Sequence, residues 1–269
     1  MVIHMRFSIV VVCLNAGERL KETIESIRRQ TFQDYEVIVK DGLSKDHSVE
    51  QLRQEVQADW LTIYEEEDNG IYDAMNQAVR YCRGDYVLFL NCGDCFYDDT
   101  VLAQIAAGIH EQTLQGNIFY GNIYEKLTDS LVSSNPQIDA FACYRNVPCH
   151  QCCFYDRSLF TERGYDTRYR VRADYEHFLW SFFVKGAVPV YLPVTVASYE
   201  GGGFSETEEN QKTSAREHKE ITKKYMTKSQ IFKYRLILLV TLAPLRTKIA
   251  RNRKLAGFYN SLKKLLYRG

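Results

Sequence analysis

The sequence predicts an α/β fold, a mostly parallel sheet flanked by helices. Three observations carry this. Four short apolar, β-branched or aromatic runs fall within the first ninety residues. Segments of helical periodicity separate them, giving the order βαβαβαβ with short links. Each run closes on polar or glycine residues, the punctuation expected at a strand end.

Residues 7–14 (FSIVVVCL) form a continuous apolar run, the pattern of a strand buried on both faces. Asn15, Ala16 and Gly17 follow as a turn. A helix over 18–30 is marked by Leu20, Ile24 and Ile27 with charges between them. Residues 35–40 (YEVIVK) are the second strand, closed by Asp41 and Gly42. Ser44 and Asp46 are cap-type residues before a helix over about 46–57. Residues 60–64 (WLTIY) are the third strand, 71–82 a helix through Ile71, Ala74, Met75, Ala78 and Val79, and 85–90 (DYVLFL) the fourth strand. Further on, the pattern predicts a helix over 99–113, a strand over 117–124 and a helix over 173–185. Residues 188–199 are strand-like but interrupted by proline, which suggests an edge or a short hairpin. Residues 125–170 show no clear period. Gly201–Gly203 read as a hinge, 205–225 as a polar helix, and 230–242 as an apolar stretch before a basic amphipathic end. The expected organisation is one domain over 1–204 and a helical basic extension over 205–269.

The formal net charge is zero but unevenly spread. Residues 219–269 carry +13 and residues 1–218 carry −13. Eight cysteines include Cys92 and Cys95 as a CxxC, and Cys149, Cys152 and Cys153 beside His150. No signal-peptide pattern precedes the first strand, so free thiols in a reducing cytoplasm are expected. A zinc or redox site is the alternative to small buried fillers at these positions.

Asn15, Asp41, Asp68 and Asp94 all lie at or just after strand ends. Ligands of open parallel sheets bind beyond those ends, so the four imply one shared crevice. Asp and Gly are also ordinary turn formers, and each acid alone has that second explanation.

Three segments carry a resemblance: SIVVVCLNAGERLKETIESIRRQTFQDYEVIVKDGLSKDHS at 8–48, EDNGIYDAMNQAVRYCRGDYVLFLNCGD at 67–94, and HQCCFYDRSLFTERGYDTRYRVRADYEHFL at 150–179. Together they resemble a family 2 glycosyltransferase of the GT-A (Rossmann-like) fold, of the bacterial polysaccharide-biosynthesis type. The resemblance implies transfer of a sugar, with inversion, from a nucleotide-diphosphate sugar (UDP-linked by expectation) to a glycan or lipid-linked saccharide. It implies donor contacts from Asn15, Asp41, Asp68, Asp73, Asn76 and Asn91, with Asp73 and Asn76 equally placed to cap a helix. It puts Asp94 on a divalent cation, Mn²⁺ or Mg²⁺. It puts His150, Gln151 and Arg172 near the acceptor or the diphosphate, with Arg170 beside them, and makes Asp174 the general base, with Glu176 as fallback. Three departures stand out: Lys40 precedes Asp41 where relatives often have a second acid, Asn91 replaces the first acid of the metal motif, and Ala173 precedes the base.

The basic end can lie in the interface of an anionic inner leaflet, which makes the protein peripheral to the membrane. Its apolar run over 236–243 is too short to span a bilayer, which takes roughly 20 residues. Packing on the acidic body or on a second copy, as a homo-oligomer, is the alternative. No nucleic-acid reader motif accompanies the charge. Two other functions are weighed. A nucleotidyltransferase would want a glycine-rich basic loop after the first strand, and Asn15–Glu18 is poor for that. A catalytically inactive scaffold or glycan-binding subunit is compatible with Asn91 and Ala173.

Overall fold

The computed structural model describes residues 7–110, 118–201 and 207–241. The four predicted strands are present as β1 (Phe7–Cys13), β2 (Tyr35–Asp41), β3 (Leu61–Glu65) and β4 (Tyr86–Phe89). They pair in parallel in the order β3-β2-β1-β4. Every residue of β1 and β2 is buried, so both faces of these strands are covered. The covering helices are α1 (Glu18–Arg28), α2 (Ser48–Glu55) and α3 (Ile71–Val79); α1 packs on α2, and α3 packs on β1 and β2.

The sheet then becomes mixed. After β5 (Cys95–Phe96) and α4 (Val101–His110) comes β6 (Ile118–Glu125), with β7 (Ser130–Val132) antiparallel to it. Next are α5 (Ala140–Arg145), a 3-10 turn at His150–Cys152, β8 (Cys153–Asp156) and α6 (Ser158–Glu162). α7 (Ala173–Phe183), β9 (Pro189–Tyr199), α8 (Glu208–Tyr225) and α9 (Lys228–Val240) complete the described elements. The full strand order is β3-β2-β1-β4-β8-β6-β9-β5, with β7 branching from β6. β8 runs antiparallel between β4 and β6, while β6 and β9 are parallel. The elements of 125–170 are three to six residues long, too short for a hydrophobic period to register.

Residues 188–199 differ from expectation. They form one eleven-residue strand with β6 on one side and β5 against its far end. Of its two prolines, Pro189 is the first residue of the strand, and Pro193 is tolerated because the pairing with β6 slips at that point: Tyr120 faces Tyr191, but Asn122 faces Thr195. Pro193 therefore sits in an irregularity where its missing N–H breaks no ladder bond.

The chain forms two compact units, 1–221 and 222–269, so most of α8 belongs to the first. The expected extension begins at residue 205 and takes in this polar helix. Its inner face instead uses those polar groups: Arg172 Nε donates to Ser214 Oγ at 2.7 Å, and Tyr144 O lies 2.9 Å from His218 Nε2. Gly202, Gly203 and residues 242–269, the C-terminal part of the basic extension, lie outside the described residues. All eight cysteines are free thiols.

Gly121 shows how tightly β6 and β9 approach. A Cβ there would lie 2.3 Å from Val194 O and 2.8 Å from Val196 Cγ2. Backbone cannot yield as a side chain does, so Gly121→Ala should cost about 3 kcal/mol, read as a lower urea midpoint at unchanged slope.

Candidate active site

The carboxyl end of β1 (12–14) and the turn that leads into α3 (68–70) form the first wall of the site. The turn after β1 is stitched to the turn after β2. Asn15, in the left-handed region at φ 49°, donates its N–H to Ser44 Oγ (2.8 Å), and its Oδ1 accepts from Lys45 N (2.9 Å). Asn tolerates that backbone, and its side chain builds the rim here. Asp41 is buried at the end of β2. It accepts from Ser44 N (2.7 Å), the Ser44 hydroxyl and the Cys13 thiol (3.4 Å), so three of its roughly four acceptor positions are filled internally.

Lys40 explains the first departure from the family pattern. It lies on a strand covered on both faces, and its ammonium is fully buried. It donates to Asp41 O (3.1 Å), Glu66 O (2.6 Å) and Asp68 Oδ2 (3.1 Å). All three ammonium donors are used, as a buried charge requires. Asp68 in turn accepts from Gly70 N (3.0 Å), which sets the start of α3. Gly42 leaves room for this pair, since a Cβ there would lie 2.8 Å from Asp68 Oδ2.

A cavity of about 700 Å³ opens above these groups, lined by Leu14, Asp68, Tyr72, Asp73, Tyr169 and Arg170 among others. Asp73 is in the first turn of α3 and accepts from Asn69 N (2.9 Å) and Gln77 Nε2 (3.2 Å). Asn76, one helical turn on, does not join it. Its amide is consumed by Tyr165, donating to Tyr165 O (2.9 Å) and accepting from Tyr165 N (2.7 Å). It lines a separate cavity with Arg157 and Arg163, so the donor contact expected of it becomes a loop clamp.

A second cavity of about 480 Å³ adjoins the first, sharing Ile71 and Tyr72 with it. It brings together Asn91, Asp94, His150, Gln151 and Asp174. Asp174 opens α7. Its Oδ1 accepts from Tyr72 OH (2.9 Å) and Tyr175 N (2.8 Å), and its Oδ2 lies 3.2 Å from His150 Nδ1. The other ring nitrogen of His150 lies 3.0 Å from Asn91 Nδ2. A polar chain thus runs Asn91–His150–Asp174–Tyr72 across the cleft. Burial pushes the Asp174 carboxyl up, but the hydrogen bond and charge of His150, the Tyr175 N–H and the Tyr72 hydroxyl together hold it below its ordinary value. Asp94 behaves in the opposite way. Burial raises it to about 6, only partly offset by His150, the Gln151 side chain and Lys126.

Of the predicted residues, Asn15 and Asp41 line neither cavity, and Arg172 and Glu176 face elsewhere, as Asn76 does. Arg172 spends its guanidinium on Ser214 Oγ and Asn146 Oδ1, and stacks over the Tyr175 ring at 5.3 Å. Glu176, the fallback base, is fully buried and paired with Arg163, whose guanidinium covers Trp180. Arg170, by contrast, lines the larger cavity. Sequence reading missed Tyr72 and Arg19, which also line the cleft. Tyr72 sits in the same quoted segment as Asp68 and Asp73, and its place at the head of α3 was the available signal.

A divalent cation can be tested against this donor set. Asp94 supplies one carboxylate, and the buried Oδ1 of Asn91, in the same turn, has no hydrogen-bond partner. Hard oxygen donors of this kind suit Mn²⁺ or Mg²⁺. Among the described residues no group of three or more His, Cys, Asp or Glu side chains converges to hold a metal. The fit is therefore to an ion that shares its ligands with a bound diphosphate and water.

Known proteins place the chain. A PGL/p-HBAD biosynthesis glycosyltransferase of Mycobacterium bovis is 36% identical over 205 residues, covering 75% of this chain and 79% of the relative. The structure of Staphylococcus aureus TarS 1-349 in complex with UDP matches at a TM-score of 0.61 and 19% identity, over 73% of this chain and 60% of that one. The mannosyltransferase PcManGT from Pyrobaculum calidifontis, in complex with GDP-Man and Mn²⁺, matches at 0.64 and 18%, over 98% of this chain and 81% of that one. At such identities the two structures speak for the fold, which is GT-A. The model of the family described as Glycosyl transferase family 2 matches residues 8–164, more than half of the sequence, and the chain therefore belongs to glycosyl transferase family 2.

Proposed function

We propose that this glycosyltransferase moves a sugar from a nucleotide-diphosphate sugar, UDP-linked by preference, to a hydroxyl of a glycan or lipid-linked saccharide, with inversion, in cell-surface polysaccharide synthesis. The observation that carries the reading is that Asp94 and Asp174 line one cleft, which adjoins a larger cavity bearing Asp68 and Asp73. The larger cavity takes the nucleoside, and the cleft takes the sugar, the diphosphate and the acceptor.

Asp174 is the base. The acceptor oxygen attacks the anomeric carbon, the bond from that carbon to the diphosphate oxygen breaks, and Asp174 takes the hydroxyl proton. Three of its acceptor directions are occupied by Tyr72, Tyr175 N–H and His150, which leaves a direction on Oδ2 for the acceptor hydroxyl. A pKa held below the ordinary range keeps it ionised at neutral pH. Asp94, with Asn91 Oδ1, would hold Mn²⁺ or Mg²⁺, which supplies Lewis-acid stabilisation to the departing diphosphate. His150 and Gln151 line the wall between base and diphosphate. The Mn²⁺ and GDP-Man bound to PcManGT, and the UDP bound to TarS, support this class of donor and cofactor.

The second unit supports action at the inner face of a membrane. No helix among the described residues is long and apolar enough to cross one. On α9, however, Phe232, Leu236, Leu239 and Val240 are exposed at i, i+4, i+7 and i+8, one stripe of the helix. Lys228, Lys233 and Arg235 are exposed at its edges, the pattern of a helix lying in an anionic interface. Phe232→Glu with Leu236→Glu should abolish co-sedimentation with phosphatidylglycerol vesicles; unchanged pelleting would remove α9 from this role.

Asp174→Asn should lower kcat by 10³-fold or more while nucleotide binding persists, measured by UDP release and by thermal shift against UDP, GDP, CDP and dTDP sugars. Near-normal turnover would exclude Asp174 as base. A wild-type chain that binds donors but never releases nucleotide would favour the inactive-scaffold alternative. Asp94 gives a pH-dependent test. Its folded pKa of about 6 lies above the ordinary carboxylate value, so its stabilising form is the protonated one, and that contribution is lost as pH rises through 6. In metal-free buffer at pH 7.5, Asp94→Asn should therefore be more stable by on the order of 2 kcal/mol and melt higher, while losing Mn²⁺-dependent donor binding. In the wild type, donor KM with Mn²⁺ should rise as pH falls below about 6, because a protonated Asp94 cannot ligate.

A further inference from the structure

The approach to Asp174 is held by a residue far along the chain. Residues 170–172 precede α7, so their N–H groups have no place in its hydrogen-bond ladder. All three point at one carboxylate. Arg170 N donates to Glu217 Oε1 at 2.9 Å, and Val171 N and Arg172 N donate to Glu217 Oε2 at 3.0 and 2.9 Å. Glu217 lies on α8 and is 4% exposed. A buried carboxylate is costly unless its oxygens are well bonded, and three charge-assisted bonds meet that requirement.

The neighbours of Glu217 act on the same stretch. Ser214, Glu217, His218 and Ile221 share one face of α8 at i, i+3, i+4 and i+7. Ser214 holds the Arg172 guanidinium, and the His218 ring stacks on Tyr175 at 5.1 Å. Glu220 accepts from Tyr169 OH at 3.1 Å. The stretch they hold lines both cavities, through Tyr169 and Arg170 on one side and Val171 on the other. Val171 O also lies 3.0 Å from the Tyr72 hydroxyl that reaches Asp174.

We propose that Glu217 is a positioning residue for Asp174: by gathering three successive amides, it fixes the entry to α7 and hence the direction of the base carboxylate. The proposal rests on Asp174 being the base. It makes α8, which lies beyond the span matched by the family model, part of the catalytic unit. Glu217→Gln keeps the shape but replaces one accepting oxygen with an N–H₂ that faces backbone donors. The loop would shift, and displacements of about 1 Å can cost on the order of 100-fold in rate.

The test is a double-mutant cycle on the full-length chain, with kcat measured at saturating donor and acceptor. Glu217→Gln should lower kcat by about 10- to 100-fold in the wild-type background and leave the residual rate of Asp174→Asn unchanged, because the residue it serves is already disabled. Full activity of Glu217→Gln overturns the inference, and so does an equal fold-loss in both backgrounds, which is what a purely structural role produces. If Glu217→Gln does not fold, Ser214→Ala takes its place in the same cycle. A loss of several-fold confined to the Asp174 background supports the proposal, and an equal loss in both, or none, overturns it. A wild-type chain that binds no donor and transfers no sugar overturns the enzyme reading and this inference together, whereas a fully active Glu217→Gln overturns this inference alone.

Discussion

The carboxylate of Asp174 is the point on which the two halves of the site meet. Tyr72 reaches it from α3, on the parallel half of the sheet, and His150 reaches it from the turn before β8, on the mixed half. Its own helix supplies the third contact through Tyr175 N–H. A buried carboxylate without such partners would take up a proton; with them it stays charged. The same three contacts orient it, so its charge state and its direction have one origin. The packing of α3 against the sheet and of α7 beside it is thus a condition on the chemistry proposed for the cleft.

Two carboxylates eighty residues apart in sequence, Asp94 and Asp174, are shifted in opposite directions from the ordinary carboxylate value. Asp174 is surrounded by donors and lies low, while Asp94 has burial as its main influence and lies near 6. That contrast fits a division of labour. In the proposed reaction one group is an anion before the substrate arrives, and the other would be completed by a cation bound with the diphosphate. Lys40 adds a third arrangement at the larger cavity, a fully buried ammonium that ties the ends of β2 and β3 to Asp68, which lines that cavity. Removing a partner from such a group costs several kcal/mol, so this corner is rigid before any ligand binds.

Much of the fold was legible from local pattern. Runs such as FSIVVVC and YEVIVKD are apolar because both faces are covered, and the helices between them repeat at the period of a turn. The segment 125–170 was not legible, since β7, β8, α5 and α6 are shorter than two helical turns or a typical strand. The eleven-residue β9 was obscured by Pro193, whose break in pairing is absorbed by a slip against β6. For the site, strand-end position and family resemblance identified Asp94, Asp174 and His150, which share the cleft, and equally Asn76 and Arg172, which do not.

The sequence by itself determined the alternation of strands and helices, the parallel half of the sheet and the placing of polar residues at its carboxyl ends, because burial imposes a period that neighbouring residues share. Which of those polar groups face the crevice was decided only by tertiary structure. Hydrogen bonds are made between particular atoms, and their partners here lie far apart in the chain: Tyr72 and Asp174 are separated by 102 residues, Asn76 and Tyr165 by 89. The polar helix α8 is the clearest case. Its composition is that of a solvated tail, yet Glu217 closes on three amides 45 to 47 residues before it. No local period records such a contact, because it depends on where the fold brings one helix face against one turn.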